Sequence, residues 1–136
     1  MTSTDFLALS PIIALSVGAS LLLLQIAFMR DLKLTAAITV ITFLACLFFL
    51  FYIVKLNHQT TPLLLVDPLS TFFSIVFVLC AGITTLISFE YLKNRQGRND
   101  EFFLLIILAT MGSLVLAYAT HLASFILGLE LMGIAL

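Results

Sequence analysis

One acidic residue stands alone inside an apolar segment near the carboxyl end of the sequence. Glu130 lies in the apolar run 122–136, and no basic residue is near it in the sequence. Placing a charged side chain at the centre of a membrane helix costs roughly 2.5–3.5 kcal/mol even on lenient scales. A carboxyl group there needs a charged partner, water or a proton, so Glu130 is a candidate for proton transfer.

Two interpretations of Glu130 follow from elementary electrostatics. A desolvated carboxyl without a nearby cation favours its neutral form, whereas a neighbouring lysine restores the charged form, so such a group can act as a proton relay. The alternative is a permanently protonated Glu130 that hydrogen-bonds to a helix backbone or to a Ser or Thr side chain. None of the six Lys and Arg residues lies inside a predicted span, so none can easily meet Glu130 at its depth.

His121 is the titratable residue nearest to Glu130 along the chain. Nine residues at 100° each place the two side chains on opposite faces of a continuous helix, so a direct pair is not expected. Histidine changes its charge near neutral pH, and His121 beside the membrane surface could take up or release protons. A solvated or capping histidine at a helix start is the commoner case.

The composition shows which elements must position these residues. The 136-residue chain is 62% hydrophobic and 10% charged, with a mean hydropathy of +1.25, whereas soluble domains carry about 25% charged residues. The sequence therefore predicts an integral membrane protein. The net charge is −1 and there is no Gly-rich phosphate loop, which argues against nucleic-acid and dinucleotide binding.

Four apolar segments are long enough to cross a hydrocarbon core of about 30 Å as helices. A fifth begins near His121 and reaches the end of the sequence before it could fully cross. The predicted spans are residues 6–29, 35–54, 68–89 and 102–119, with the incomplete fifth at 121–136. The last two are separated by a turn predicted at residues 119–121, with Thr120 as the N-cap.

Acidic residues mark two helix starts. Asp67 precedes Pro68, which suits the first helical position because its missing N–H costs nothing there. Asp100 and Glu101 lie at the positive end of the fourth helix dipole. Capping therefore explains these three acids.

Within the spans, we expect Gln25 to form an interhelical hydrogen bond, and Cys46 and Cys80 to be small buried side chains.

The basic residues predict the orientation of the helices. Five of the six follow the first and third spans, and Lys55 alone lies on the other side; the five are Arg30, Lys33, Lys93, Arg95 and Arg98. The positive-inside rule then places these two loops in the cytoplasm and the N-terminus outside. The alternative is that Lys93, Arg95 and Arg98 bind anionic lipids, but basic clusters that bind lipids usually contain more than three charges.

Residues 55–66 are predicted to be an external extended segment with a short strand packed on the bundle.

Three segments carry a family resemblance. Residues 100–105 (DEFFLL), 119–124 (ATHLAS) and 127–131 (LGLEL) closely resemble subunit N of the bacterial proton-pumping NADH:quinone oxidoreductase, respiratory complex I; residues 62–67 and Phe72 fit more loosely. In that family the subunit is an antiporter-like bundle of fourteen helices. Its fifth helix carries a glutamate that works with lysines on later helices to move protons. Glu130 matches that glutamate, and His121 matches a histidine common at the start of the helix.

The resemblance implies an all-α integral membrane protein, the N-terminal part of an antiporter-like helix bundle with four transmembrane helices and an incomplete fifth. It implies the bacterial inner membrane, the other membrane subunits of complex I as partners, and proton translocation coupled to electron transfer. NADH, flavin, iron–sulfur clusters and quinone are expected on other subunits. The later lysines have no counterparts before Leu136, so we expect the chain alone not to pump.

Two other functions remain open from the sequence. A subunit of a cation/proton antiporter would share the glutamate-bearing helix. A non-catalytic membrane scaffold would hold Glu130 merely as a satisfied acid.

Overall fold

The computed structural model describes residues 3–54, 58–61, 64–97 and 99–136. Within them the chain forms six helices and a two-stranded antiparallel sheet: α1 (Ser3–Ala8), α2 (Ser10–Phe28), α3 (Leu32–Ile53), β1 (His58–Thr61), β2 (Leu64–Val66), α4 (Pro68–Lys93), α5 (Asp100–Tyr118) and α6 (Leu122–Ala135). Helices α2 to α5 are long and apolar enough to cross a membrane, and α6 has 14 residues. The structure confirms an all-α multi-pass membrane protein with four spanning helices and a shorter fifth.

The first predicted span, residues 6–29, is divided into two helices, whereas the sequence predicted one. Leu9 separates α1 from α2, because Pro11 cannot donate a hydrogen bond to the carbonyl of Leu7. The Ser10 hydroxyl donates to that carbonyl instead, at 2.6 Å. Backbone bonds from Leu9 to Asp5 and from Ile13 to Leu9 continue across the joint.

The start of α4 confirms the predicted cap. The Asp67 carboxylate accepts a hydrogen bond from the Ser70 amide at 2.7 Å, and the Ser70 hydroxyl accepts one from the Asp67 amide at 3.0 Å. Hydrogen bonds from Ser70, from the side chain first and then from the backbone, lower the pKa of Asp67. Helix α3 starts three residues before its predicted position because Asp31 caps it by accepting from the Lys33 amide.

The predicted turn between the last two spans is present, but its N-cap is His121 and not Thr120. Ala119 is extended and forms an isolated antiparallel bridge with Leu64 of β2. A pairing partner 55 residues away along the chain therefore ends α5, and this explains why neither Gly nor Pro is needed there. The strands also confirm the extended segment predicted before α4, while Lys55 and Pro62 lie outside the described residues.

The two ends of the helix bundle differ in character. The hairpin β1–β2, which contacts α1, and the α5–α6 turn lie at one end, here called the hairpin end. At the opposite end, the basic end, the α2–α3 and α4–α5 turns come together and bring Arg30 beside Lys93 and Arg95. Arg98 lies outside the described residues.

The core forms where α2, α3, α4 and α5 meet. Its fully buried members include Leu15, Leu22, Leu50, Val78, Ile107 and Leu114. Helices α2 and α3 approach so closely that a Cβ at Gly18 would overlap the Thr42 side chain. Near the basic end, the Gln25 side chain donates to the Thr35 hydroxyl at 3.0 Å, which confirms the predicted interhelical bond. Cys46 is a buried free thiol, but Cys80 is exposed, contrary to its predicted burial.

Candidate functional site

Helix α6, which carries Glu130, packs tightly on α5 through two glycines. A Cβ at Gly112 would lie 2.8 Å from the Met132 amide nitrogen and 3.0 Å from the Gly128 carbonyl oxygen. A Cβ at Gly128 would lie 2.9 Å from Cγ of Leu116. The Ser113 hydroxyl adds a 3.8 Å contact to the Met132 sulfur. Because small residues allow helix backbones to approach closely in membranes, these contacts fix the rotation of α6 about its axis.

This rotation turns Glu130 away from α5. The face of α6 that is buried carries Ser124, Gly128 and Ala135, and at 100° per residue Glu130 lies about 140° from the middle of that face. Glu130 is exposed within the chain. Its neighbours at helical spacing are exposed as well; they are Ala123, Ile126, Leu127, Gly133 and Ile134. The face of α6 around Glu130 is therefore open, and none of the described residues covers it.

The structure does not bring Glu130 and His121 together. Helix α6 is continuous from Leu122 to Ala135, so the nine residues between them correspond to about 13.5 Å along the axis and a half turn around it. His121 is exposed at the hairpin end and caps no backbone amide with its side chain. Its backbone carbonyl accepts a hydrogen bond from the Ser124 hydroxyl at 2.9 Å.

No basic side chain among the described residues pairs with Glu130. Arg30, Lys93 and Arg95 are gathered at the basic end, where they line a common cavity with Asp100. The hydroxyls nearest along α6 and on the facing part of α5 are also engaged, since Ser124 donates to His121 and Ser113 to the Ala109 carbonyl. A carboxyl at the middle of α6 is thus presented to the surroundings of the chain and not to its core.

The contacts that determine the direction of Glu130 were not predicted from the sequence. Close packing on α5 takes place at Gly128, whereas a Cβ at Gly133, on the same helix, would meet nothing within 4 Å. Gly112 is the only glycine among the described residues of α5, and Gly128 is the only one on the buried face of α6. Small residues facing each other on consecutive apolar helices were the signal that could have found them.

Comparison with known proteins establishes the fold. No protein-family model matches the chain. Among solved structures, the chain is similar to one chain of respiratory complex I from Thermus thermophilus with bound Aureothin, with a TM-score of 0.79 and 22% sequence identity. The match covers 92% of this chain but 27% of the Thermus chain. The helix arrangement found here is therefore one that occurs within a respiratory complex I chain.

Proposed function

We propose that the chain is part of an antiporter-like membrane subunit of a proton-pumping NADH:quinone oxidoreductase, of the kind represented by subunit N. The likeness to a complex I chain of Thermus thermophilus supports this assignment at the level of fold. The resemblance of residues 100–105, 119–124 and 127–131 supports it independently at the level of sequence. NADH, flavin, iron–sulfur clusters and quinone would be bound by other subunits of the complex.

The position of Glu130 is the observation that carries the proposal. It lies near the middle of α6, about 12 Å along the axis from Leu122, on a face that the described residues leave open. A carboxylate at this depth is too costly to persist without compensation, so it takes up a proton or meets a cation. The cation would come from outside the described residues.

At such a site, the carboxyl group would alternately release and bind a proton. When a charged lysine approaches, the ionised form of Glu130 is stabilised, and the carboxyl group releases its proton. When the lysine withdraws or loses its charge, Glu130 binds a proton again. Coupling this cycle to electron transfer elsewhere in the complex would move protons across the membrane. His121 would serve as a group of entry or exit at the hairpin end, with water covering the distance to Glu130.

The proposal also includes an orientation. The gathering of Arg30, Lys93 and Arg95 at one end supports a cytoplasmic basic end and a periplasmic N-terminus. Single cysteines at Ser3 and Gln96, in a background without Cys46 and Cys80, should be labelled from opposite sides of the membrane. Labelling of both from one side would overturn this orientation.

The experiment that tests the function replaces Glu130 in the complete subunit within the assembled complex. Glu130→Gln keeps the shape but cannot exchange a proton, so proton uptake per electron and coupled turnover should fall several-fold. Glu130→Asp retains the carboxyl with a shorter reach and should have a milder effect. Glu90→Gln, at an exposed carboxylate near the basic end of α4, is the matched control and should leave pumping unchanged.

The outcomes of this test separate the proposed function from the rival functions. Equal pumping by the wild type and Glu130→Gln at equal assembly would remove Glu130 from proton transfer. Loss of assembly by Glu130→Gln would indicate the scaffold role. Proton movement by the complete subunit that is driven by a cation gradient and needs no NADH oxidation would indicate a cation/proton antiporter.

A further inference from the structure

An apolar groove runs along the outside of α3 and α4, remote from Glu130. It consists of two cavities of about 180 and 390 Å³, which share Val40 and Leu86 on their walls. The first extends toward the middle of the helices as far as Leu47 and Val78, and the second ends at Lys33 near the basic end. Because the shared residues join them, the two cavities form one channel, here called the α3–α4 groove.

The walls of the groove are suited to hydrocarbon. Thr85 carries the one hydroxyl on its walls, and that hydroxyl already donates to the Ala81 carbonyl at 2.8 Å. Gly82 lies on the wall of the inner cavity, and a Cβ there would meet nothing within 4 Å. The groove therefore offers space and dispersion contacts but no free polar group except at its end.

The length of the groove matches one leaflet of a bilayer. From Lys33 to Leu47 the helix rises about 21 Å at 1.5 Å per residue. Half of a hydrocarbon core is about 15 Å, so the groove begins at the level of the headgroups and ends near the midplane. A packed helix from another protein would follow both leaflets, whereas an acyl chain needs only one.

The end of the groove is positively charged. Lys33 closes it, and the adjoining cavity, of about 270 Å³, is lined by Arg30, Lys93 and Arg95 with Asp100 as its one described acid. The two cavities also adjoin along the chain, because Leu32 lines the basic cavity and the next residue, Lys33, lines the groove. Basic side chains at this level attract anionic headgroups.

We propose that the α3–α4 groove binds an anionic glycerophospholipid. One acyl chain lies in the groove along α3 and α4, and the phosphate group lies at Lys33 beside Arg30, Lys93 and Arg95. This site uses none of the residues assigned to proton transfer. It gives the basic loops a role in binding a particular lipid in addition to their role in orientation.

The site is tested with photoactivatable lipids that carry a reactive group in the acyl chain. The complex with its full-length subunit is reconstituted in vesicles containing trace photoactivatable phosphatidylglycerol or phosphatidylcholine, and labelled peptides are identified by mass spectrometry. We expect phosphatidylglycerol to label the lining residues of α3 and α4 several-fold more than phosphatidylcholine does. Equal labelling by the two lipids would overturn the headgroup assignment.

Two variants locate the acyl chain and the headgroup. Gly82→Phe fills the groove without meeting another atom at its Cβ, so labelling there should fall several-fold. Ile87→Phe is the matched control, because Ile87 is 68% exposed on α4 and does not line the groove. Lys33→Gln with Arg30→Gln removes two of the four basic side chains and should reduce the preference for phosphatidylglycerol several-fold, while leaving acyl labelling by either lipid in place.

Unchanged labelling of Gly82→Phe would contradict the proposal, as would a preference for phosphatidylglycerol that the double substitution at Lys33 and Arg30 leaves undiminished. A cross-linked polypeptide in the groove in place of lipid would contradict it too. None of these results depends on proton pumping, so they leave the assignment of Glu130 to be decided separately.

Discussion

Asp67 and Glu130 are both acidic residues, one at the start of an apolar helix and one within such a helix, and their surroundings differ completely. Asp67 stands before the first residue of α4, and Ser70, three residues on, supplies both partners of a reciprocal capping box. Glu130 stands near the middle of α6, and the described residues offer it no cation. The first acid is satisfied by its own local sequence. The second is positioned by the packing of its helix, and none of the described residues pairs with it.

The difference teaches how to distinguish two kinds of acid in a membrane sequence. A capping acid lies at the end of an apolar run and has its partner within one turn, so its role can be predicted from a few residues. A mid-span acid has no local partner, and its cost must be offset at a distance. Helix packing then decides its role, because packing determines which way the carboxyl faces.

The largest effect is expected where that packing is disturbed. Gly128→Leu would force a side chain against Leu116 and the backbone of α5, at a cost of about 1–3 kcal/mol or more. Gly133→Leu, also on α6, is the control because a Cβ there meets nothing within 4 Å. Cysteines replacing Ser113 and Met132, whose side chains are in contact, would report the packing through a short thiol cross-linker.

Cross-linking between these two cysteines should be efficient in the wild-type background and with Gly133→Leu, and it should drop sharply with Gly128→Leu. Undiminished cross-linking in the Gly128 variant would mean that the glycine contact does not determine how α6, and with it Glu130, is rotated.

A smaller effect is expected at the cap of α4. Asp67→Ala removes the acceptor for the Ser70 amide and should lower the free energy of unfolding by about 1 kcal/mol, whereas Asp67→Asn should retain most of the cap. Asp31→Ala is a useful comparison, because Asp31 accepts a longer bond of 3.1 Å from the Lys33 amide without a reciprocal partner. Unfolding in mild detergent would measure all three, and a cost for Asp31→Ala above that for Asp67→Ala would contradict the ranking.

The smallest effect concerns pH. Hydrogen bonds from Ser70 hold the pKa of Asp67 below its usual value of 3.8. A carboxyl whose pKa is lowered by folding stabilises the folded state above its unfolded pKa and loses that contribution as the pH falls through the folded pKa. Lowering the pH below about 3.8 should therefore destabilise the wild type more than Asp67→Asn. Parallel pH profiles of the two proteins would show that the ionised cap contributes nothing.

Much of the fold could be predicted because its signals are local. Hydropathy identifies the spanning helices, and the pair Asp67–Pro68 marks the start of α4. The beginning of α6 could be placed only loosely, because the bridge between Leu64 and Ala119 that sets it joins distant parts of the chain. The break at Leu9 could not be found from hydropathy, because the apolar run 6–29 continues through it without interruption; Pro11 inside that run was the local signal.

The candidate site likewise has features that could be predicted from the sequence and features that could not. The depth of Glu130 and the residues that share its face follow from helical spacing, and the structure shows the same face. That this face points away from α5 could not be read from spacing, since it depends on how Gly112 and Gly128 meet. The identity of a basic partner depends on residues outside the described part of the chain, so it stays a prediction.

The most direct measurement of the central claim follows the proton on Glu130 itself. Infrared difference spectra of the assembled complex, recorded between resting and turning-over states, detect carboxyl groups that gain or lose a proton. A protonated-carboxyl band should change on turnover in the wild type, shift in Glu130→Asp and be absent in Glu130→Gln. Identical difference spectra for the wild type and Glu130→Gln at equal assembly would contradict the assignment of Glu130 as a proton carrier.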